Sequence, residues 1–427
     1  MKFILRATEL FLFLLPFQVA LSPVSGVDLP VSRIVSIFLF LSLLALMLAR
    51  RKLIVPLSVE VLFLGLFLFL SFLSVFWAQD VSWAVRRFLF LFSFFPLFPL
   101  YVTLFHEKPD AAARLCRALA AGAGLAALIA IVEFLSQYVF GVATVFRVWV
   151  SSVLPIFLGP SFAASVAQYP SLLVNIGGRT LLRASAFFPD PHMAAFFFGL
   201  SFPPAVWSCM NAKTTWGKYL FAFFASVIAI ADLLTFSRGG YAGLGFGAAV
   251  FVWRYVFAGD ASRWRRLAVV GAMIVVPIVL FSVAPLRERS ASMFLVGEGS
   301  NMGRMDMYVQ AIRNIGRQPY GYGLGNYPLA VKPTAEYREP IYAHDLFLDI
   351  ATESGILGAF CFFAALYFVF RSLIRQQNGL LFAGAVSVAI FFGHALFEMP
   401  LYSVHVLPVV LLFLAFPSMR STISAES

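Results

Sequence analysis

The sequence predicts an all-α polytopic integral membrane protein of about 12 transmembrane helices, about 11 if the first is cleaved, with a long extracytoplasmic loop. Three observations carry this. Hydrophobic residues make up 61% of the 427 and charged residues only 12%, against about 45–50% and about 25% in a soluble domain. The mean hydropathy is +0.90. Apolar runs long enough to cross hydrocarbon, roughly 20 residues each, recur along the whole chain. No soluble core could hide so much apolar surface, so 1–427 reads as a single integral membrane domain.

The spans fall at roughly 3–21, 32–49, 56–77, 84–105, 112–140, 188–209, 217–235, 240–257, 267–285, 346–370, 378–396 and 401–417. The first also has the form of a signal peptide, with Lys2 and Arg6 before an apolar stretch ending near Ala20. A retained helix is the preferred reading, and either choice leaves the following residues outside. Orientation comes from Lys and Arg in alternate loops. Arg50-Arg51-Lys52, Lys108, Arg114, Arg117, Lys213, Lys218, Arg254, Arg263, Arg265, Arg266, Arg371, Arg375 and Arg420 all fall on one side, which marks it as cytoplasmic. The same asymmetry accounts for the net charge of +11 without a nucleic-acid partner. Cys116, Cys209 and Cys361 lie in or beside apolar segments, with no spacing for a disulfide framework or a metal.

Two long segments face outward. Residues 141–187 stay apolar and contain Pro155, Pro160 and Pro170, the pattern of an interfacial or re-entrant segment. Residues 286–345 hold most of the outward charge. Within them Ser300-Asn301 is placed to cap a helix running to about Gly316 that lies against the membrane part of the protein. Met302, Met305, Val309, Ile312 and Ile315 share one face of it, and Arg304, Arg313 and Arg317 lie off that face. The run Gly321-Tyr-Gly-Leu-Gly-Asn326 that follows permits positive φ and suggests a mobile loop.

Ionisable groups are costly in lipid, so their depth is informative. Arg86, Arg87, Glu133, Asp232, Arg238, His344, Asp345, His394 and Glu398 all map to outer helix ends, while Glu9 and Glu60 map to the inner side. A transporter or flippase, the competing class, would place such groups at mid-depth in repeated halves. Three patterns stand out among them. Thr235-Phe-Ser-Arg238-Gly-Gly240 is a short outward hairpin whose Arg and helix-start amides suit a phosphate, although a snorkelling Arg on a Gly-rich turn has the same pattern. Gly303-Arg304-Met-Asp306 lies on the amphipathic helix, where a solvated Arg is the ordinary reading. Ala343-His344-Asp345 leads into Asp349 and Glu353-Ser-Gly-Ile-Leu-Gly358, where the ordinary role of a carboxylate is interhelical hydrogen bonding.

In that order and spacing, over about residues 230–360 including the 286–345 loop, these motifs resemble the O-antigen ligase/O-antigen polymerase superfamily. Two details differ from the usual pattern. Asp345 stands where an Asn commonly follows the His, and Phe188-Pro-Asp-Pro-His-Met-Ala is a variant of a Pro-Asn motif. The resemblance implies a bacterial inner-membrane enzyme whose site faces the periplasm. Its donor would be a glycan on undecaprenyl diphosphate, and its acceptor a hydroxyl of a lipid or glycan. Arg238 and Arg304 match the family's two functional arginines, and His344 its catalytic histidine. On that reading the arginines clamp the diphosphate and the imidazole deprotonates the acceptor in one inverting displacement. Arg86, Arg87, Asp345 and Glu353 are further candidates for binding the substrate or its diphosphate, and Asp345, Asp349 or Glu353 for orienting the imidazole. No cofactor is expected, and no His/Asp/Glu cluster has metal spacing. Ligase and polymerase share donor and catalytic groups and differ only in the acceptor.

Overall fold

The structure is a computed structural model that describes residues 1–24, 26–51, 58–168, 171–257, 271, 282–291, 299–337, 339 and 341–419. It is mostly helical, and among the described residues seven helices are long and apolar enough to cross a membrane: Val31–Arg50, Val59–Trp77, Val81–Glu107, Ala111–Phe140, Pro191–Met210, Thr215–Leu234 and Leu346–Ile374. Shorter apolar helices run over Val142–Leu158, Gly379–Ala395 and Val406–Met419. Helices Lys2–Leu14 and Arg238–Val252 complete the bundle among the described residues. Most of the expected span at 267–285 lies outside the described residues.

Local chemistry sets the helix ends. Asp80, Asp190, Ser237, Asp345 and Asn378 each cap a helix through a side-chain oxygen that accepts a backbone N–H of the first turn. Pro96 divides the Val81–Glu107 span into two helices, because it has no amide to donate. Helix Leu346–Ile374 breaks at Gly355, whose φ of 83° is not helical.

Small residues decide which helices meet. Helix Arg238–Val252 presents Gly239, Gly243 and Gly247 at four-residue spacing to helix Gly379–Ala395. A Cβ at Gly243 would lie 2.7 Å from the Ile390 carbonyl oxygen, and one at Gly247 would lie 2.6 Å from the Ile390 side chain. Such small-residue faces let backbones approach where lipid supplies no hydrophobic drive. Gly122 serves helix Lys2–Leu14 in the same way, since any side chain there would strike the Phe13 backbone. At that end Glu9, expected to snorkel, instead takes a paired ion contact from Arg114. Arg50 meets Glu107 at 3.4 Å.

The outward segments differ from expectation in two respects. The helix foreseen to about Gly316 spans Gly299–Arg317 and packs beside helix Leu346–Ile374. It does so through Ala311 and Asn314, which are buried, while Met302, Met305, Val309 and Ile312 of the apolar face are exposed. Polar contacts made by Arg304 and Tyr308 hold the inner face. An apolar stripe turned outward carries no penalty where the surroundings are lipid. Second, the Gly321–Asn326 run is docked rather than loose. Its glycines take φ of 86°, 92° and 71°. Tyr322 and Gly323 donate backbone N–H groups to the Thr352 and Glu353 carbonyls at 2.8 and 3.0 Å, and the Trp77 indole donates to the Gly321 carbonyl at 2.9 Å. The bend at Gly355 is what exposes those carbonyls, because the helix no longer uses them.

Residues 142–168 form short helices, and Leu173–Ile176 pairs antiparallel with Arg179–Leu182. Val145, Val150, Leu154, Leu158, Leu172 and Leu182 give this segment its own small core. It leans on a second hairpin, Ala20–Val24 with Val27–Pro30, where Asp28 accepts the Phe162 amide at 2.7 Å.

Candidate active site

The turn Thr235–Gly240 is held by two arginines. Arg183 Nε donates to the Thr235 carbonyl at 2.6 Å and Arg289 Nε to the Phe236 carbonyl at 3.0 Å. Phe236 takes a φ of 49°, a left-handed conformation that costs a non-glycine residue energy and persists where its surroundings enforce it. Ser237 Oγ accepts the Gly240 amide at 3.2 Å and so starts the helix on which Arg238 is the first residue. Arg238 is buried, 3% exposed.

His344 is delivered from the opposite direction. It also adopts a left-handed conformation, φ 56°, immediately before Asp345, whose carboxylate caps helix Leu346–Ile374 by accepting the Leu348 amide at 2.9 Å. Tyr308, from helix Gly299–Arg317, donates to the Leu396 carbonyl at 3.0 Å, and its hydroxyl oxygen lies 3.4 Å from the His344 carbonyl.

These elements converge on one carboxylate. Glu398 lies just past helix Gly379–Ala395 and is 4% exposed. Its Oε2 is 3.1 Å from His344 Nδ1, and its Oε1 is 3.1 Å from an Arg304 guanidinium nitrogen. His192 Nε2 faces the same Oε1 at 3.6 Å, an electrostatic contact longer than a hydrogen bond. The other His192 nitrogen, Nδ1, is 2.9 Å from Ser237 Oγ, and His394 Nε2 is 3.3 Å from that oxygen. Gly239 makes this possible, because a Cβ there would lie 2.8 Å from His394 Nε2.

The geometry selects a tautomer. A carboxylate only accepts, so the His344 nitrogen facing it, Nδ1, carries the proton. Nε2 is then the basic nitrogen. Arg183, Arg238 and Glu398 are buried, and Arg304 is partly buried where it meets Glu398. Burial, and then the neighbouring Arg289, lowers Arg183 to about 9. Burial, and then the charge of Glu398, raises the Asp190 carboxyl to about 6. Ionised Asp190 therefore costs folding free energy, a cost that sets in as pH rises from the ordinary carboxyl range through about 6. Asp190 also caps helix Pro191–Met210 by accepting the His192 and Met193 amides at 2.8 and 2.9 Å. Asp190→Asn keeps the acceptor and sheds the charge, so its melting temperature at pH 8 should equal or exceed wild type. Asp190→Ala should lose about 1 kcal/mol.

Arg87 and Glu353 form a neighbouring group rather than part of this cluster. The Arg87 guanidinium lies 4.1 Å from the Tyr402 ring centre, and Tyr402 donates to Glu353 Oε2 at 2.7 Å. Gly325 closes over it, since a Cβ there would lie 2.5 Å from Arg87 Cγ. Arg86 is exposed, 5.3 Å from the centre of the Tyr337 ring. Tyr342 joins the groups: its ring centre is 4.5 Å from that of His344, and burial first, then the charge of Glu398, raises its hydroxyl, while Arg87 opposes the rise. Asp349 is occupied by the Ala343 amide at 2.6 Å. Of the acids weighed for orienting the imidazole, Asp345, Asp349 and Glu353 are thus engaged elsewhere, and Glu398 occupies that position.

The sequence places Glu398 and His394 at outer helix ends without a role, holds His192 only as part of the Phe188–Ala194 variant motif, and gives Arg183 no role. The available signal was Asp190-Pro-His192, a cap and first turn that must project a histidine at an outer helix end. Residues 221–363 match the family model described as O-antigen ligase. The matched stretch includes Arg238, Arg304, His344, Asp345 and Glu353 and leaves out His192 and Glu398. No curated protein matches the chain.

Proposed function

With an O-antigen ligase domain over residues 221–363 of a multi-pass membrane protein as premise, we propose that the chain is an inverting, metal-independent glycosyltransferase. It moves a glycan from undecaprenyl diphosphate to a hydroxyl of a lipid or glycan acceptor, on the periplasmic side of the inner membrane. The observation that carries this reading is the single carboxylate of Glu398 between the His344 imidazole and the Arg304 guanidinium. That sidedness rests on the basic loops, which the sequence gathers on the other side.

The chemistry follows from the tautomer. The acceptor hydroxyl gives its proton to His344 Nε2 as its oxygen attacks the anomeric carbon. The carbon–oxygen bond to the diphosphate breaks on the other face, and its electron pair leaves with the phosphate oxygen. Arg304 and Arg238 oppose the charge that develops there, usually a large part of such catalysis. Glu398 stabilises the imidazolium formed on His344. Inversion follows from a single displacement.

A deletion strain tests the reading. Loss of surface glycan with long chains accumulating on the lipid carrier is the expected result and identifies a ligase. Accumulation of single repeats identifies a polymerase, and an unaltered envelope glycan rejects both. In proteoliposomes, excess EDTA should leave the transfer rate unchanged.

A further inference from the structure

His192 lies outside the family-matched residues and outside the roles assigned above, yet it faces the catalytic carboxylate. Its hydrogen bonding is over-determined. Ser237 Oγ already accepts the Gly240 amide, leaving one O–H and one lone pair for two imidazoles, those of His192 and His394. If Ser237 donated to His394, His192 would turn a bare lone pair toward Glu398, and His394 would bury an N–H at Nδ1. That Nδ1 has no hydrogen-bond partner among the described residues, and an orphaned buried N–H is rarer than an orphaned acceptor. The opposite arrangement leaves His394 Nδ1 as a bare acceptor rather than a buried N–H and sets the proton-bearing His192 Nε2 3.6 Å from the carboxylate, an electrostatic contact. His394 Nε2–H donates to Ser237, Ser237 donates to His192 Nδ1, and His192 Nε2–H points at Glu398 Oε1.

The chain is also mechanically clamped. The His394 ring stacks on Phe196 with centres 3.5 Å apart and planes 4° apart, and its other neighbour is Gly239, where no side chain fits. Ser237 is fixed as a helix cap, and His192 is in the first turn of a helix capped by Asp190.

We propose that His192 is a positioning residue for glycosyl transfer. Its N–H, aimed by the His394–Ser237 chain, holds Glu398 Oε1 so that Oε2 stays on His344. Without that donor the carboxylate is free to rotate into a two-point pairing with Arg304 and to release the imidazole. Bidentate carboxylate–guanidinium pairing is the favoured alternative geometry. This inference rests on His344 acting as the base.

The test uses the full-length protein in proteoliposomes with lipid-linked glycan extracted from the source strain. His192→Leu should lower kcat about tenfold, the size of coupling usual within one hydrogen-bond network, with KM and melting temperature near wild type. His192→Gln, whose amide can donate to Glu398 and accept from Ser237, should recover most of the rate. His192→Asn has the same chemistry but falls short and should stay slow. The double variant His192→Leu/Glu398→Gln should be no slower than Glu398→Gln alone. Independent, multiplying losses in the double variant, a Gln variant as slow as Leu, or a raised KM with kcat intact would each overturn the assignment. A fully active His344→Ala enzyme would instead overturn the base. An inactive His344→Ala enzyme with multiplying losses in the double variant rejects the role of His192 alone.

Discussion

His344→Ala is expected to reduce transfer by about 10²–10⁴-fold while leaving the protein folded, the range usual for loss of a general base. The loss should fall on kcat, because the imidazole contributes where the proton moves rather than where the diphosphate is held. The fold should tolerate the change. Among the described residues His344 makes one side-chain hydrogen bond, to Glu398, and Glu398 keeps Arg304 when it is lost. His344→Gln is the sharper control, since it fills the same space without a basic nitrogen. A purified His344→Ala enzyme that transfers glycan at near the wild-type rate would remove the base from the mechanism.

Glu398→Gln should cost nearly as much, about 10²–10³-fold in kcat, although it changes a single atom type. The carboxylate accepts from His344 on one oxygen and faces Arg304 and His192 with the other. A carboxamide offers one acceptor and one donor group. If its oxygen stays with Arg304, its NH₂ faces His344 Nδ1 and favours the tautomer with the proton on Nε2, which disables the base. If it flips, the NH₂ opposes Arg304. Either way the imidazolium formed during transfer loses its counter-charge. Substrate protection assays should show donor binding weakened far less than turnover. A Glu398→Gln enzyme within about threefold of wild type would mean that another group orients His344.

Much of the membrane architecture was readable from the chain alone because lipid imposes a strict rule: backbone polar groups must be satisfied within the segment that crosses. Apolar runs therefore become helices, as at Val59–Trp77 and Thr215–Leu234, and caps such as Asp80 and Ser237 mark their starts. Periodicity spoke less clearly about facing. The stripe Met302–Met305–Val309–Ile312 is real, but in lipid an apolar face has no obligation to turn inward. The glycine run at 321–326 announced positive φ and concealed its docking, since the carbonyls that hold it become available only at the Gly355 bend.

Considered alone, the sequence determined the solvent, the helical class and the gathering of ionisable groups at one end of the bundle, because hydropathy and charge placement are local properties that the bilayer reads directly. It also marked Arg238, Arg304 and His344 through the order and spacing of motifs that resemble a family pattern. Only the tertiary structure decided which acid serves the imidazole. Glu398 is 54 residues from His344 and 94 from Arg304, and three nearer acids were equally plausible by composition. What separated them was placement: Asp345 and Asp349 accept backbone amides and Glu353 a tyrosine hydroxyl, whereas the Glu398 carboxylate stands 3.1 Å from the imidazole. Helix packing through Gly239, Gly243 and Gly247 creates that choice, because glycine lets two backbones approach until groups distant in sequence share a hydrogen bond.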